Sequence, residues 1–393
     1  MEFLKKIFFM KKLSSFLYGV SLLSGTIIGV GFFALPYITL KVGFWTILFY
    51  FLILGSLVLL IHLFFGELAL ETPDLKRLPG FAKLYLGKRG EKMAFVASIF
   101  GIFGSLLAYL IVGGEFLKEI FAPIFGGGDL IWTLVYFILG SLLVFFDAKA
   151  ITKVEFFSLI GFFLVLILLF LGAKDLIKTQ NLFLGRALPS NFFLPYGPIL
   201  FSLWGASLIP ETEEVLSENK RLLKKVISVS ILIAILIYLF FIYLILGTCG
   251  NSTTKSALLC IKDFWGEKIS LLTLFFGFLT TFTSFIALGL TLKKVFWYDL
   301  KMPKNLACGI SCFVPLILFL LGFKDFISII SFIGAVMLGI EGILILMMYQ
   351  KYLKAQSSKL KAQKLKLKIF LVYFLFLVLA LGVFGKIISL ISK

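Results

Sequence analysis

The chain has 393 residues, of which 61% are hydrophobic and only 15% are charged, and its mean hydropathy is +1.09. This composition excludes an ordinary soluble domain, because apolar runs long enough to cross about 30 Å of hydrocarbon as helices recur along the chain. The net charge of +18 does not indicate nucleic-acid binding, since the lysines and arginines cluster in short loops between the apolar runs.

The hydropathy pattern predicts a single all-α transmembrane domain with about eleven membrane-spanning helices. The first apolar run is too long for a cleaved signal peptide and is predicted to remain as the first span. With the N-terminus in the cytoplasm and the C-terminus outside, 27 of the 38 basic residues lie on the cytoplasmic side, as the positive-inside rule requires. The predicted spans are 13–40, 44–70, 93–118, 130–146, 154–173, 192–216, 222–247, 269–293, 305–321, 325–349 and 368–388.

The first span contains residues that interrupt helices. Residues 24–36 read SGTIIGVGFFALP, with Gly25, Gly29, Gly31 and Pro36 where an unbroken helix would need its hydrogen bonds. Unwound backbone is tolerated at membrane depth only where it lines a cavity or is buried in protein. The alternative is that the glycines serve close helix packing, since Gly25 and Gly29 have the Gly-xxx-Gly spacing.

The sixth span has a matching interruption. Residues 201–216 read FSLWGASLIPETEEVL, with Gly205 and Pro210 at comparable places. The first and sixth spans are five apart and therefore run in opposite directions, and interrupted helices at corresponding places in two inverted halves indicate a transporter binding site. The predicted division of the domain is a first repeat over 13–173, a second over 192–349 and an extra helix over 368–388.

Two such breaks suit a zwitterionic ligand. The N-terminal end of a half-helix carries partial positive charge and unpaired N–H donors, which fit a carboxylate. Carbonyl groups freed at the C-terminal ends fit a cation or an ammonium group. The sequence therefore favours an amino acid held between the breaks.

The interrupted first span resembles the aromatic and hydroxy amino acid permeases of the amino acid–polyamine–organocation superfamily. A second similarity to that family is TSFIALGL at 283–290 in the eighth span, followed by Asp299, while the sixth span is similar to the wider superfamily. The resemblance implies the leucine-transporter type of fold, a five-plus-five inverted repeat with discontinuous helices 1 and 6. The matching positions are Gly25, Thr26, Ile28, Gly29, Gly31, Ala34, Leu35, Pro36, Gly43 and Phe44.

The resemblance also implies a substrate site at the two breaks. The backbone N–H groups of residues 26–31, which include Thr26, Ile27, Gly29 and Gly31, would hold the carboxylate. Carbonyls near Phe201, Ser202 and Trp204 would hold the ammonium group. The indole of Trp204 is either a gate over the substrate or a core aromatic.

Two coupling ions fit the sequence, and no other cofactor is predicted. In the superfamily fold, a hydroxyl pair at the level of Thr283 and Ser284 can bind sodium, because oxygen ligands suit a hard cation. Carbonyls of Gly25, Ile28 and Thr280 would complete the five oxygens. Alternatively these hydroxyls bond to their own helix. A proton carrier is the other candidate.

The candidate proton carrier is Glu341, since an acidic residue within a span is expensive and by default functional. It shares a helical stripe with small residues and is predicted to face protein. His62, the only histidine, is predicted to be packed and hydrogen-bonded rather than a proton relay. Cys249 and Cys260 fall in one predicted outside loop, where a disulfide can form in an oxidising exterior.

These patterns predict a secondary active transporter of neutral amino acids, aromatic ones included, in a prokaryotic plasma membrane. The mechanism would be proton- or sodium-coupled symport with alternating access, and the alternatives are an exchanger or a channel or structural membrane protein. An enzyme is excluded, because the sequence lacks a cluster of catalytic groups. The predicted partners are the amino acid and the lipid bilayer, and the sequence leaves oligomeric state open.

Overall fold

The computed structural model describes residues 2–72, 76–147, 151–357 and 362–391, and these residues form helices and connecting loops with no β-strand. The predicted all-α fold class is therefore confirmed. The α-helices are α1 (Glu2–Ile27), α2 (Leu35–Val42), α3 (Phe44–Glu71), α4 (Leu78–Phe125), α5 (Asp129–Phe145), α6 (Ile151–Ala173), α7 (Tyr196–Leu203), α8 (Ile209–Leu216), α9 (Leu223–Cys249), α10 (Lys262–Lys294), α11 (Lys304–Leu320), α12 (Phe326–Phe332), α13 (Gly339–Ala355) and α14 (Ala362–Ile391).

Helix lies at each predicted span, with α1 and α2 forming the first and α7 and α8 the sixth. Within the described ranges, six helical stretches are long and apolar enough to cross a membrane, or seven with the bent pair Leu13–Ile27 and Val30–Val42. One of the six, Tyr196–Ser252, contains α7, α8 and α9 in 57 residues. Asp129–Phe145, Ile160–Ala173 and Lys304–Leu320 are shorter apolar helices. The count of eleven crossings stays a prediction.

The first and sixth spans are discontinuous, as predicted. We call Ile28 and Gly29, which follow α1, the first break. A 3-10 turn over Val30–Ala34 continues from it into α2, and the two parts of the span meet at 51°. Pro36 lies in the first turn of α2, where its missing N–H costs no helical hydrogen bond.

We call Trp204 and Gly205, which follow α7, the second break. Trp204 has extended backbone angles, and a 3-10 turn over Ala206–Leu208 leads into α8. Pro210 again occupies the first turn of the second half-helix. The glycine and proline pairs read from the sequence thus mark where each helix ends and where its second half begins.

The helices around the breaks pack into one continuous core. Helix α1 packs against α8 and α9, while α7 packs against α3 and against a π-helical turn over Ile333–Leu338 between α12 and α13. Helix α14 is peripheral, because only 22% of its apolar window is buried, compared with 72% for Phe326–Ala355. The interrupted helices therefore lie inside the bundle, where protein surrounds their unwound backbone.

The ion pairs are sorted between the two ends of the bundle. Among the described residues, none joins a segment predicted as cytoplasmic to one predicted as external. The pairs at the end predicted as external are Lys118–Asp129 and Lys255–Asp325. The pairs at the end predicted as cytoplasmic are Arg77–Glu211, Lys83–Glu91, Lys220–Glu213, Lys224–Glu67, Lys368–Glu67, Lys293–Asp147 and Lys304–Asp147.

Lys293 is buried, although it was predicted to begin a cytoplasmic loop. Its side chain is 1% exposed, and its ammonium group donates to Asp147 at 2.7 Å and to the carbonyl of Val144 at 2.8 Å. It thereby satisfies carbonyls at the C-terminal end of α5. The hydrogen bond from Lys293, and then that from Lys304, hold the pKa of the Asp147 carboxyl below its usual range.

Cys249 and Cys260 are joined by a disulfide that closes the loop between α9 and α10. Cys308 and Cys312 are free and buried in α11. The sequence left this pairing open, because spacing alone does not show whether two cysteines in one loop approach each other.

We expect the denatured protein to show two reactive thiols before reduction and four after it, because a covalent disulfide survives unfolding. Mass spectrometry after alkylation with and without reductant measures this. A variant combining Cys308→Ala and Cys312→Ala should show no reactive thiol before reduction. Four reactive thiols in the unreduced wild-type protein, purified with its thiols blocked, would contradict the pairing.

Candidate functional site

The two breaks face each other across one tyrosine. The hydroxyl of Tyr238, on α9, lies 2.8 Å from the carbonyl oxygen of Ile27 and 2.7 Å from that of Ser202. These carbonyls stand at the C-terminal ends of α1 and α7, where the helix dipole places partial negative charge. Because a hydroxyl carries a single proton, the two carbonyls can accept a further donor.

Close contacts between the breaks require glycine. A Cβ atom at Gly31 would lie 2.5 Å from the hydroxyl oxygen of Ser202 and 2.7 Å from the ring of Phe201. A Cβ atom at Gly205 would lie 2.8 Å from the side chain of Ile27. Each broken span thus packs against the other at its own interruption, and a larger residue would force them apart.

The N–H groups of the first break are partly engaged already. The N–H of Ile28 donates to the carbonyl of Ser24, and that of Gly29 donates to the carbonyl of Ile27, each at 2.9 Å. Thr26 and Ile27 lie in the last turn of α1, so the donors that begin the second half-helix come after them.

Tyr109, on α4, also reaches the first break. The N–H of Val30 donates to its hydroxyl oxygen at 3.3 Å, and a Cβ atom at Gly29 would lie 2.5 Å from that oxygen. Tyr109 and Tyr238 are not among the site residues predicted from the sequence. Both are polar groups within long apolar spans, so the rule that drew attention to Glu341 could have found them.

Aromatic rings surround the first break on the side of α6 and α9. Phe32 is fully buried, and its ring centroid lies 4.8 Å from that of Phe241, 5.3 Å from that of Phe162 and 6.0 Å from that of Tyr238. Phe33 packs on the same group, 4.2 Å from Phe32. The wall beside the carbonyl pair is therefore apolar and aromatic.

Glu341 and Trp204 contact each other directly. The indole N–H of Trp204 donates to Oε2 of Glu341 at 2.9 Å, and the hydroxyl of Ser98 donates to Oε1 at 2.6 Å. Trp204 is 8% exposed and Glu341 is 5% exposed. Within the described ranges, no cationic side chain pairs with Glu341. The second break is thus connected through one indole to a buried carboxyl group on α13.

Two of the candidate sodium-site residues on α10, Thr280 and Thr283, have hydroxyls that bond within their own helix. The hydroxyl of Thr280 donates to the carbonyl of Phe276 at 2.8 Å, and that of Thr283 donates to the carbonyl of Thr280 at 3.2 Å. Ser284 is half-buried. No hydrogen bond among the described residues joins these hydroxyls to Gly25 or Ile28, although each oxygen keeps lone pairs that can coordinate a cation.

Comparison with known proteins identifies relatives along almost the whole chain. A model of the tryptophan/tyrosine permease family matches residues 12–389. The chain is 26% identical over 338 residues to tyrosine-specific transport system 1 of Haemophilus influenzae, covering 80% of this chain and 82% of that protein.

Solved transporter structures share the fold. The structure of MhsT in complex with L-phenylalanine aligns with a TM-score of 0.61 and 15% identity, over 93% of this chain and 98% of that one. The structure of Mhp1, a nucleobase-cation-symport-1 family transporter in a closed conformation with bromovinylhydantoin bound, aligns with a TM-score of 0.64 and 13% identity, over 95% and 91%. The predicted leucine-transporter type of fold is confirmed by these alignments.

Proposed function

Because the chain belongs to the tryptophan/tyrosine permease family, we propose that it carries aromatic amino acids, tyrosine foremost, across the membrane by symport with alternating access. Membership confirms the family resemblance read from the first span and makes the chain an amino acid transporter rather than an enzyme. The preference for tyrosine is proposed because the Haemophilus influenzae relative is a tyrosine-specific transport system.

The observation that carries this proposal is the convergence of two half-helix ends on the Tyr238 hydroxyl. The carbonyls of Ile27 and Ser202 offer acceptors to a substrate ammonium group, which carries three donors. The N–H groups of Val30 and Gly31, at the start of the second half-helix, suit the carboxylate. The Tyr109 hydroxyl now bonded to Val30 is placed to join that contact.

The substrate side chain would lie against the rings beside the first break. Phe32, Phe162 and Phe241 supply an apolar wall. Edge-to-face and offset packing of aromatic rings adds about 0.5–1.5 kcal/mol beyond the burial of area. An aromatic substrate would gain this from the wall, whereas a small neutral amino acid would leave the wall unfilled.

Transport would proceed by rocking of helix groups around the fixed site, with 13–173 and 192–349 as inverted halves. We propose that the protein lies in the plasma membrane of a prokaryote with its N-terminus in the cytoplasm. The bias of basic residues supports this orientation. The sorting of ion pairs to two separate ends supports the assignment of segments to two sides.

For coupling we propose a proton carried by Glu341. A charged carboxylate without a cationic partner is costly inside a membrane protein. Taking up a proton removes that charge, and the contact with Trp204 connects the event to the second break. The nearest family resemblance also favours the proton. The second candidate is sodium held by the hydroxyls of Thr283 and Ser284 with carbonyls of Gly25, Ile28 and Thr280, as the wider superfamily fold implies.

We expect L-tyrosine, L-tryptophan and L-phenylalanine to stabilise the purified protein, and L-alanine and L-lysine to have much weaker effects. A ligand at 100 times its Kd adds about 2.7 kcal/mol to the free energy of unfolding, which thermal unfolding detects. Tyramine lacks the carboxylate and 3-(4-hydroxyphenyl)propionate lacks the ammonium group, so neither should stabilise the protein.

Counterflow in liposomes tests transport itself. Preloaded unlabelled tyrosine should drive saturable uptake of labelled tyrosine, and tyramine should not replace it. Linear uptake without saturation would indicate a channel. Equal stabilisation by tyrosine and by either truncated analogue would contradict a site built from both carbonyl and N–H groups.

A further inference from the structure

We propose that His62 is a positioning residue for transport, which holds the second break in its substrate-binding arrangement by accepting a hydrogen bond from Gly205. This inference rests on the proposed function insofar as the second break forms part of the substrate site. His62 is the only histidine of the chain and belongs to neither the proposed substrate site nor the proposed ion sites.

The geometry is a buried contact between two helices. His62 lies within α3 and is 0% exposed. The N–H of Gly205 donates to its Nε2 atom at 2.9 Å. The two residues are 143 positions apart in the chain, so the bond fixes the unwound backbone of the sixth span against the second span.

The hydrogen bonds of the break show why this acceptor matters. Helix α7 ends at Leu203, and the N–H of Trp204 still donates to the carbonyl of Phe201 at 3.4 Å. The N–H of Gly205 turns instead to His62, and the carbonyl of Gly205 begins the next turn by accepting from Leu208 at 3.2 Å. A buried backbone N–H without an acceptor is strongly disfavoured. For the N–H of Gly205, the acceptor is an imidazole nitrogen from another helix.

Histidine fits this place for two reasons. Accepting at Nε2 requires the neutral imidazole with its proton on Nδ1, since a protonated imidazole has no acceptor. The ring also packs edge-to-face against Trp204, with centroids 5.2 Å apart and an angle of 84° between planes. One side chain therefore restrains two successive residues of the break, and Trp204 in turn bonds to Glu341.

The expected consequence is preorganisation. While the Gly205 N–H is bonded, the carbonyl of Ser202 just before the break stays in place. It can then contact the Tyr238 hydroxyl together with the carbonyl of Ile27. Without the bond, the unwound segment shifts to find another partner, and substrate must restore the order when it binds. That cost weakens binding more than it slows turnover.

The test compares His62→Leu, which removes the acceptor at similar volume, with His62→Gln, whose amide oxygen has the reach of Nε2. Phe65→Leu is the matched control, because Phe65 is equally buried on α3 but packs on Phe81, outside the candidate site. KM and maximal rate of tyrosine uptake are measured in liposomes with equal amounts of folded protein. Hydrogen–deuterium exchange of residues 203–208 is followed in detergent.

For His62→Leu we expect KM to rise about tenfold or more, with little change in maximal rate. This rise corresponds to the free-energy cost of leaving a buried donor without an acceptor. Exchange of residues 203–208 should accelerate. His62→Gln should restore KM and exchange towards wild type, and Phe65→Leu should lower thermal stability without changing KM.

The proposal is overturned by a wild-type KM in His62→Leu, or by His62→Gln as impaired as His62→Leu in both KM and exchange. Unchanged exchange of residues 203–208 in His62→Leu would also overturn it, and that measurement needs no substrate. A wild-type protein that neither binds nor transports aromatic amino acids would instead contradict the proposed function, while the exchange data would still decide whether His62 orders the break.

Discussion

Gly31→Leu is expected to abolish amino acid uptake while the protein still inserts into the membrane. Even a Cβ atom at this position would lie 2.5 Å from the Ser202 hydroxyl and 2.7 Å from the Phe201 ring. Both contacts belong to the last turn of α7, so a leucine would push apart the two breaks that together form the candidate site. Loss of the paired carbonyls at Ile27 and Ser202 removes the ammonium contact.

The matched control is Gly309→Leu, because a Cβ atom at Gly309 on α11 meets nothing within 4 Å. Its uptake should stay near wild type at equal expression, measured with labelled tyrosine in whole cells. Gly29→Leu should behave like Gly31→Leu, since its Cβ atom would lie 2.5 Å from the Tyr109 hydroxyl. Normal uptake by either break variant, at membrane levels equal to wild type, would remove the proposed site.

Glu341→Gln is expected to uncouple net uptake while sparing exchange. The glutamine side chain can still accept from the Trp204 indole and donate to the Ser98 hydroxyl, so the packing seen around Glu341 is retained. It cannot load or release a proton. A coupling free energy of about 1–3 kcal/mol, or 5- to 150-fold, is therefore lost from accumulation against a gradient.

The measurement imposes each ion gradient separately on liposomes. With wild-type protein, an inward pH gradient in sodium-free buffer should drive tyrosine accumulation, and Glu341→Gln should lose accumulation but keep tyrosine–tyrosine exchange. Glu267→Gln, at an exposed position of α10, serves as the control and should keep both activities. Uptake that requires sodium and fails in Thr283→Ala and Ser284→Ala would contradict proton coupling and assign the ion site to those hydroxyls.

The sequence by itself determined the positions of the helices and of both interruptions. Hydropathy over a window of residues is a local property, and the bilayer imposes the same length on every span. Gly29, Gly31 and Gly205 weaken helices wherever they lie, so the breaks could be read directly. Pro36 and Pro210 mark the first turn of each second half-helix, where proline is tolerated.

The sequence also sorted the charged groups into two sets, because the positive-inside rule acts on short loops one at a time. Lys293 does not follow the prediction that basic residues lie in solvated loops. Its position beside other lysines predicted a loop residue, yet its ammonium group is buried on the carbonyl of Val144 and on Asp147. A lysine at a span end looks the same in sequence whether it is solvated or caps a neighbouring helix.

Only the tertiary structure decided which side chains serve the breaks. The bonds that join them connect residues far apart in the chain, Tyr109 with Val30, Tyr238 with Ile27, and His62 with Gly205. In a membrane protein nearly every face of a spanning helix is apolar. The hydrophobic periodicity of the sequence therefore does not distinguish a face that contacts lipid from a face that contacts an interrupted helix. Which polar group reaches which freed N–H or carbonyl follows from how the helices pack, and that packing depends on small residues and close contacts rather than on hydrophobic pattern.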